Sequence, residues 1–126
     1  VAASSRGRLG LQGEQQAAQF LKKRGHTVLA TRFRTKVGEL DLVTRSGDHL
    51  YFVEVKTRRS SESTSPFGGA LEAVDHRKQR RITKLAALFI DRHRLWDLCP
   101  HFAVIGIETT PSGTRVHFLP DAFDAC

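Results

Sequence analysis

The stretch Gly38–Thr57, GELDLVTRSGDHLYFVEVKT, decides how this chain folds. Leu40 and Leu42 alternate with charged neighbours, as on a half-buried strand. Gly47-Asp48 reads as a two-residue hairpin loop, and LYFVEVKT (50–57) as the returning strand. With that loop, Ser46 faces His49, Leu42 faces Val53 and Leu40 faces Val55, so the apolar pairs form one buried face. A three-residue loop shifts the pairing by one and mixes the faces. The favoured register puts Asp41 across from Glu54, and Glu39 across from Lys56.

Directly opposed side chains have Cβ atoms about 4.5–5.5 Å apart, where like charges repel. Two carboxylates at that distance are screened by water, share a proton or hold a cation. A divalent metal is the chemically productive option, since hard cations take carboxylate and carbonyl oxygens. Lys56 on the same face is suited to offset developing negative charge. A solvated sheet face, with Glu39–Lys56 as an ordinary cross-strand ion pair, accounts for part of the pattern. Val43 and Phe52 on that face imply partial cover by a helix or a substrate.

Outward from the hairpin, GEQQAAQFLKKRG (13–25) has helical spacing, with Glu14, Ala17, Ala18 and Leu21 on one stripe and Gly25 as the stop. Glu14 is a third candidate acid; a helix dipole also favours an acid in the first turn. TVLATRFR (27–34) reads as a strand. RRSSESTSPFGG (58–69) reads as a mobile surface loop. The helix that follows sets Val74, Lys78, Ile82, Leu85 and Phe89 on one stripe, with Asp75 as its cap or as an interruption. HFAVIGIE (101–108) reads as a central strand and TRVHFL (114–119) as an edge strand. The order is α, three strands, α, two strands: an α/β domain with a mixed sheet and packed helices.

The 126 residues suffice for one domain, with residues 1–9 read as a flexible start. Twenty Lys/Arg against thirteen Asp/Glu give a formal charge of +7, which favours a polyanionic partner, nucleic acid first. The excess sits in the middle of the chain: Lys56, Arg58, Arg59, Arg77, Lys78, Arg80, Arg81 and Lys84 face only Glu62, Glu72 and Asp75. Cys99 and Cys126 form no disulfide framework and fit a reducing, cytoplasmic compartment. No apolar run is long enough to span a membrane. The six histidines are scattered without zinc-ligand spacing, so the sequence gives them no role.

At GELDLV…FVEVKT the chain resembles the D-x(n)-E-x-K signature of the PD-(D/E)XK nuclease superfamily, which includes restriction endonucleases and archaeal Holliday-junction resolvases. GLQGEQQAAQFLKKRGHTVLATRFRTKVGELDLV, FVEVKTR and AVDHRKQRR together resemble the YraN-like family of endonuclease-like proteins, from about Gly10 to Ile107. The resemblance implies a restriction-endonuclease-like α-β-β-β-α-β core around a mixed central sheet. It implies Mg²⁺ or Mn²⁺ held by Asp41, Glu54 and the Val55 carbonyl, with Lys56 as the catalytic lysine and Glu14 as the helical acid near the metal. Arg58, Arg59, Arg77, Lys78, Arg80, Arg81 and Lys84 are the expected phosphate contacts. The expected activity is hydrolysis of DNA, branched DNA included, and the resolvase analogy points to a homodimer. A module on the same fold that binds nucleic acid without cutting it is the alternative, and an adaptor for an acidic protein is a third. Two positions depart from the family pattern. His101-Phe102-Ala103 stands where Arg-Phe-Asp is usual, and Thr31 where Asn is frequent.

Overall fold

The computed structural model describes residues 5–59 and 75–123, with the side chains of the first helix from Leu11 onward. The elements are α1 (Ser5–Lys23), β1 (Thr27–Thr35), β2 (Gly38–Ser46), β3 (His49–Arg59), α2 (His76–His93), β4 (Cys99–Thr110) and β5 (Gly113–Phe123). Helix α1 begins at Ser5, within the stretch expected to be flexible, and β3 carries Arg58 and Arg59, which the sequence reading put in a loop. The rest of that loop, Val74 and Cys126 lie outside the described residues.

The sheet order is β1-β2-β3-β4-β5. Only β3 and β4 run parallel, joined across the segment that carries α2; the other neighbours are antiparallel. This is the expected mixed α/β arrangement, with HFAVIGIE in the interior strand β4, next to the edge rather than at the centre, and the last strand at an edge. Residues 102–108 of β4 are all buried. No described helix is long and apolar enough to cross a membrane.

Each face of the sheet is covered by one helix. Ala17 and Leu21 of α1 pack on Leu42, Val53, Ala103, Ile105 and Ile107. Ile82, Leu85, Ala86 and Phe89 of α2 pack on Phe33, Leu40, Val43, Leu50, Phe52 and Phe102. The second core is aromatic: the Phe89 ring meets Phe33 edge-on at 5.1 Å and Phe52 at 6.0 Å. Helix α1 ends as expected, with the Gly25 N–H on the Lys22 carbonyl and the His26 N–H on the Leu21 carbonyl. Asp75 caps α2 by accepting from the Lys78 N–H at 2.8 Å, so it starts the helix.

The hairpin is the one expected: Ser46 pairs with His49 around Gly47-Asp48, and the ladder runs back to Leu42–Val53. Gly47 has φ +59°, the left-handed conformation that two-residue turns require. The register then breaks. No ladder pair links Asp41 to Glu54 or Leu40 to Val55. Leu40 joins the α2 core while Leu42 joins the α1 core, so alternation fails across Asp41. On the β1 side the pairs Thr31–Leu42 and Phe33–Leu40 also skip Asp41. The expected single apolar face is therefore corrected. Both faces are covered, and β2 turns over at Asp41, which places Leu40 in the cluster with Phe33 and Ile82.

Gly13 sets the height of α1 over the sheet. A Cβ there would overlap the Cγ2 methyl of Thr57 and lie 3.8 Å from Val55 Cγ1. Gly13→Ala should destabilise by roughly 1–3 kcal/mol, because overpacking outweighs the helix-propensity gain of about 1 kcal/mol. Thr57→Ser removes that methyl, so Gly13→Ala/Thr57→Ser should recover most of the loss in urea denaturation. A stabilised Gly13→Ala single variant would contradict this packing.

Candidate metal and nucleic-acid site

Where β2 leaves β3, the ladder would give the Val55 N–H to the Leu40 carbonyl. The Asp41 carboxylate takes it instead, at 2.8 Å. A residue's N–H and C=O point to the same side of a strand, so the Val55 carbonyl faces the same opening. The break thus presents a carboxylate and a main-chain oxygen at one point.

Glu54 and Lys56 lie on the α2 face of β3, opposite in parity to Val53 and Val55 of the α1 core. Lys78 reaches from the first turn of α2 to form an ion pair with Glu54 Oε1. The other oxygen, Oε2, is buried and has no hydrogen-bond partner among the described residues. Asp41 and Glu54 line one cleft with Glu39, Leu40, Lys78, Arg81 and Ile82. Its volume of about 50 Å³ admits an ion or one or two waters, and no base.

Glu14 approaches from α1 and is held by Arg32 Nε at 2.9 Å. Arg32 is non-glycine with φ +52°, opposite the break in β2, and this left-handed turn directs it to Glu14. Glu39 pairs with Arg34 at 3.1 Å, directly across β1–β2, and not with Lys56 as the uninterrupted register required. Arg32 and Arg34 were not singled out from the sequence. The alternating arginines of TRFR beside an acid-bearing hairpin were the available signal.

The acids act on Asp41 together. Its pKa is raised from 3.8 to about 6, chiefly by burial and further by Glu14, Glu54 and Glu39, against the opposing Val55 hydrogen bond. A carboxyl whose ionisation is disfavoured, beside a buried carboxylate oxygen with no hydrogen-bond partner among the described residues, fits a divalent cation, which would favour the charged form. Asp41, Glu54 and the Val55 carbonyl would hold it, with Glu14 nearby.

The expected phosphate contacts divide. Arg77, Arg80, Arg81 and Lys84 are exposed on α2, and the Arg81 side chain crosses Gly38 beside the cleft. Arg59 is exposed at the end of β3. Lys78 faces Glu54. Arg58 lies on the sheet, its Nε and Nη2 both on Glu108 Oε2 at 2.9 and 2.6 Å. Glu108 is 4% exposed, so Arg58 balances a buried charge. Ala103 lies in the α1 core, and Thr31 is exposed beside Glu14 and Arg32.

The family model for "Uncharacterised protein family UPF0102" matches residues 13–107. A UPF0102 protein of Pseudomonas syringae pv. syringae is 39% identical over 124 residues, 97% of this chain and 98% of the relative. A second, from Symbiobacterium thermophilum, is 40% identical over 119 residues, 94% and 98% of the two chains. A third, from Syntrophus aciditrophicus, is 37% identical over 117 residues, 93% and 89%. The chain belongs to UPF0102, the YraN-like family that its motifs resemble, with a nuclease-like α/β fold.

The acid cluster has a pH signature separate from any activity. Between the ordinary Asp pKa and about 6, the native state holds a proton on Asp41 that the unfolded state has released. Stability from this group is therefore present at low pH and lost as pH rises through that window. Two units correspond to at most about 3 kcal/mol, and partial solvation reduces this to on the order of 1–2 kcal/mol. In EDTA, urea midpoints of wild type and Asp41→Asn should diverge between pH 4 and 6.5, with wild type the one that weakens. Parallel curves would contradict the assigned environment of Asp41.

Proposed function

We propose that this UPF0102 member is a Mg²⁺- or Mn²⁺-dependent nuclease that hydrolyses DNA phosphodiester bonds, with branched DNA among its candidate substrates. The observation that carries the reading is the pairing of Asp41 and Glu54 in one cleft at the β2–β3 break, with Glu54 Oε2 buried and without a partner among the described residues. Glu14, Glu39 and Glu54 each have a basic partner, but Asp41 is buried beside them and Glu54 keeps one buried oxygen without a partner among the described residues, an arrangement that cation binding accounts for.

A bound divalent ion polarises a phosphodiester and makes water more acidic. The protein's own groups would do the rest. Asp41 is oriented by the Val55 N–H, and Glu14 by Arg32. Lys56 shares a sheet face with Glu54 and would set positive charge against the scissile phosphate. Arg81, at the rim of the cleft, would grip the next phosphate, and Arg77, Arg80 and Lys84 would hold more distant ones along α2. By analogy with junction resolvases the reading includes a homodimer, and the cysteine usage fits a cytoplasmic setting.

One observation favours a rival. The ammonium of Lys78 already neutralises Glu54. If that ion pair persists when DNA is bound, the protein is a module that binds without cutting.

The test uses wild type, Asp41→Ala and Glu54→Ala, purified in parallel, on linear, flap and four-way-junction DNA with Mg²⁺, Mn²⁺ or EDTA. Even outer-shell changes at metal sites cost about 10–100-fold, so losing a ligand should reduce cleavage by roughly 100-fold or more. EDTA should abolish it. Cleavage that survives in both variants means a contaminant or another site. Salt-sensitive binding without metal-stimulated cleavage selects the rival.

A further inference from the structure

The parallel pairing of β3 with β4 assembles a second group of metal-binding side chains away from the carboxylates. His49 pairs with Cys99, and Tyr51 with His101. The ligand atoms of His49, Cys99 and His101 all lie within 4.8 Å of one another. Glu54 is five residues further along β3, about 17 Å at 3.3 Å per residue, and on the opposite face.

The donors are held in place. Asp121 Oδ1 lies 2.7 Å from His101 Nδ1, and a carboxylate there keeps the proton on Nδ1. In the neutral ring the Nε2 lone pair is then directed at His49 Nδ1, 2.8 Å away. Tyr51 stacks on the His101 ring at 4.7 Å and 16°, fixing its plane. The Cys99 N–H donates to the Asp48 carbonyl at 2.8 Å, which ties the base of β4 to the hairpin loop. An imidazole oriented by a carboxylate on its far nitrogen is the usual support of a ligating histidine.

We propose that His49 Nδ1, Cys99 Sγ and His101 Nε2 form a site for a borderline transition ion of the zinc type, with Asp121 as the positioning residue. Metal bonds of about 2.0–2.3 Å in tetrahedral geometry set neighbouring donors about 3.3–3.8 Å apart. The two imidazoles open slightly from 2.8 Å and the most distant donor closes in. His49 and Cys99 are exposed, so these shifts displace no core packing. Two imidazoles and a thiolate select such an ion over Mg²⁺. The fourth position is left to water or an external ligand. Bound there, the ion clasps the starts of β3 and β4 and stabilises the fold by mass action.

Co²⁺ is the probe, with Zn²⁺ as competitor. One equivalent of Co²⁺ should give a thiolate-to-cobalt charge-transfer band in the near ultraviolet, with tetrahedral visible bands. Zn²⁺ should bleach both and millimolar Mg²⁺ should not. Cys99→Ser should remove the charge-transfer band, whereas Cys126→Ser and Glu54→Ala should retain it. His49→Ala should weaken Co²⁺ binding at least about 100-fold. Asp121→Asn should weaken it about 10–100-fold and keep the band at saturation. Circular dichroism of each variant checks the fold. A wild-type protein without the band overturns the proposal, as does a band lost only in Cys126→Ser or an unchanged affinity in His49→Ala. None of these outcomes bears on the carboxylate site, which Glu54→Ala removes.

Discussion

The candidate site depends on a single hydrogen bond, from the Val55 N–H to the Asp41 carboxylate. A regular hairpin would satisfy that donor with the Leu40 carbonyl and send Leu40 to the α1 face. Here a side chain replaces the backbone acceptor. The donor stays satisfied, and Leu40 is released into the aromatic core under α2. The ladder ends at Leu42–Val53, and the acid that ended it faces the opening it created. A buried donor left without any acceptor would cost about 1–3 kcal/mol, so the exchange of acceptors makes the break tolerable.

The two helices complete the site from opposite faces. Helix α1 lies close because Gly13 presents no Cβ to Thr57, and Glu14 follows Gly13 directly. Helix α2 is capped by Asp75, and its first turn brings Lys78 to Glu54. The small residues of α1 and the aromatic residues of the α2 core are more than filling: each fixes how far one charged side chain reaches across the sheet. The charges nearly balance one another, with Arg32 on Glu14, Arg34 on Glu39 and Lys78 on Glu54. Among the described residues no ion pair is made by Asp41, and burial, with the neighbouring acids, raises its pKa.

Much of this was legible in the sequence because it is local. The Gly47-Asp48 turn, the register from Ser46–His49 to Leu42–Val53, the end of α1 at Gly25 and the cap at Asp75 follow from neighbours in the chain. The register beyond Leu42 was not, because the place of Leu40 depends on Phe33 and on Ile82, which lies forty-two residues further on. Arg58 shows the same limit. As a sequence feature it belongs to a basic run, yet in the fold it answers Glu108 on the next strand. His49, Cys99 and His101 have no metal-ligand spacing, and only the parallel crossover brings them together. An unbroken register would set the acidic pair directly across the two strands. The two carboxylates do share a cleft, by way of the break rather than a cross-strand pair.

The proposed nuclease chemistry requires the break at Asp41 to hold a divalent ion. A crystal structure of the protein soaked in Mn²⁺, read from its anomalous signal, addresses this without any substrate. One peak is expected in contact with Asp41, Glu54 and the Val55 carbonyl, with Lys78 moved off Glu54. A cleft with no peak and Lys78 still paired to Glu54, at Mn²⁺ concentrations that occupy surface carboxylates elsewhere, would contradict it.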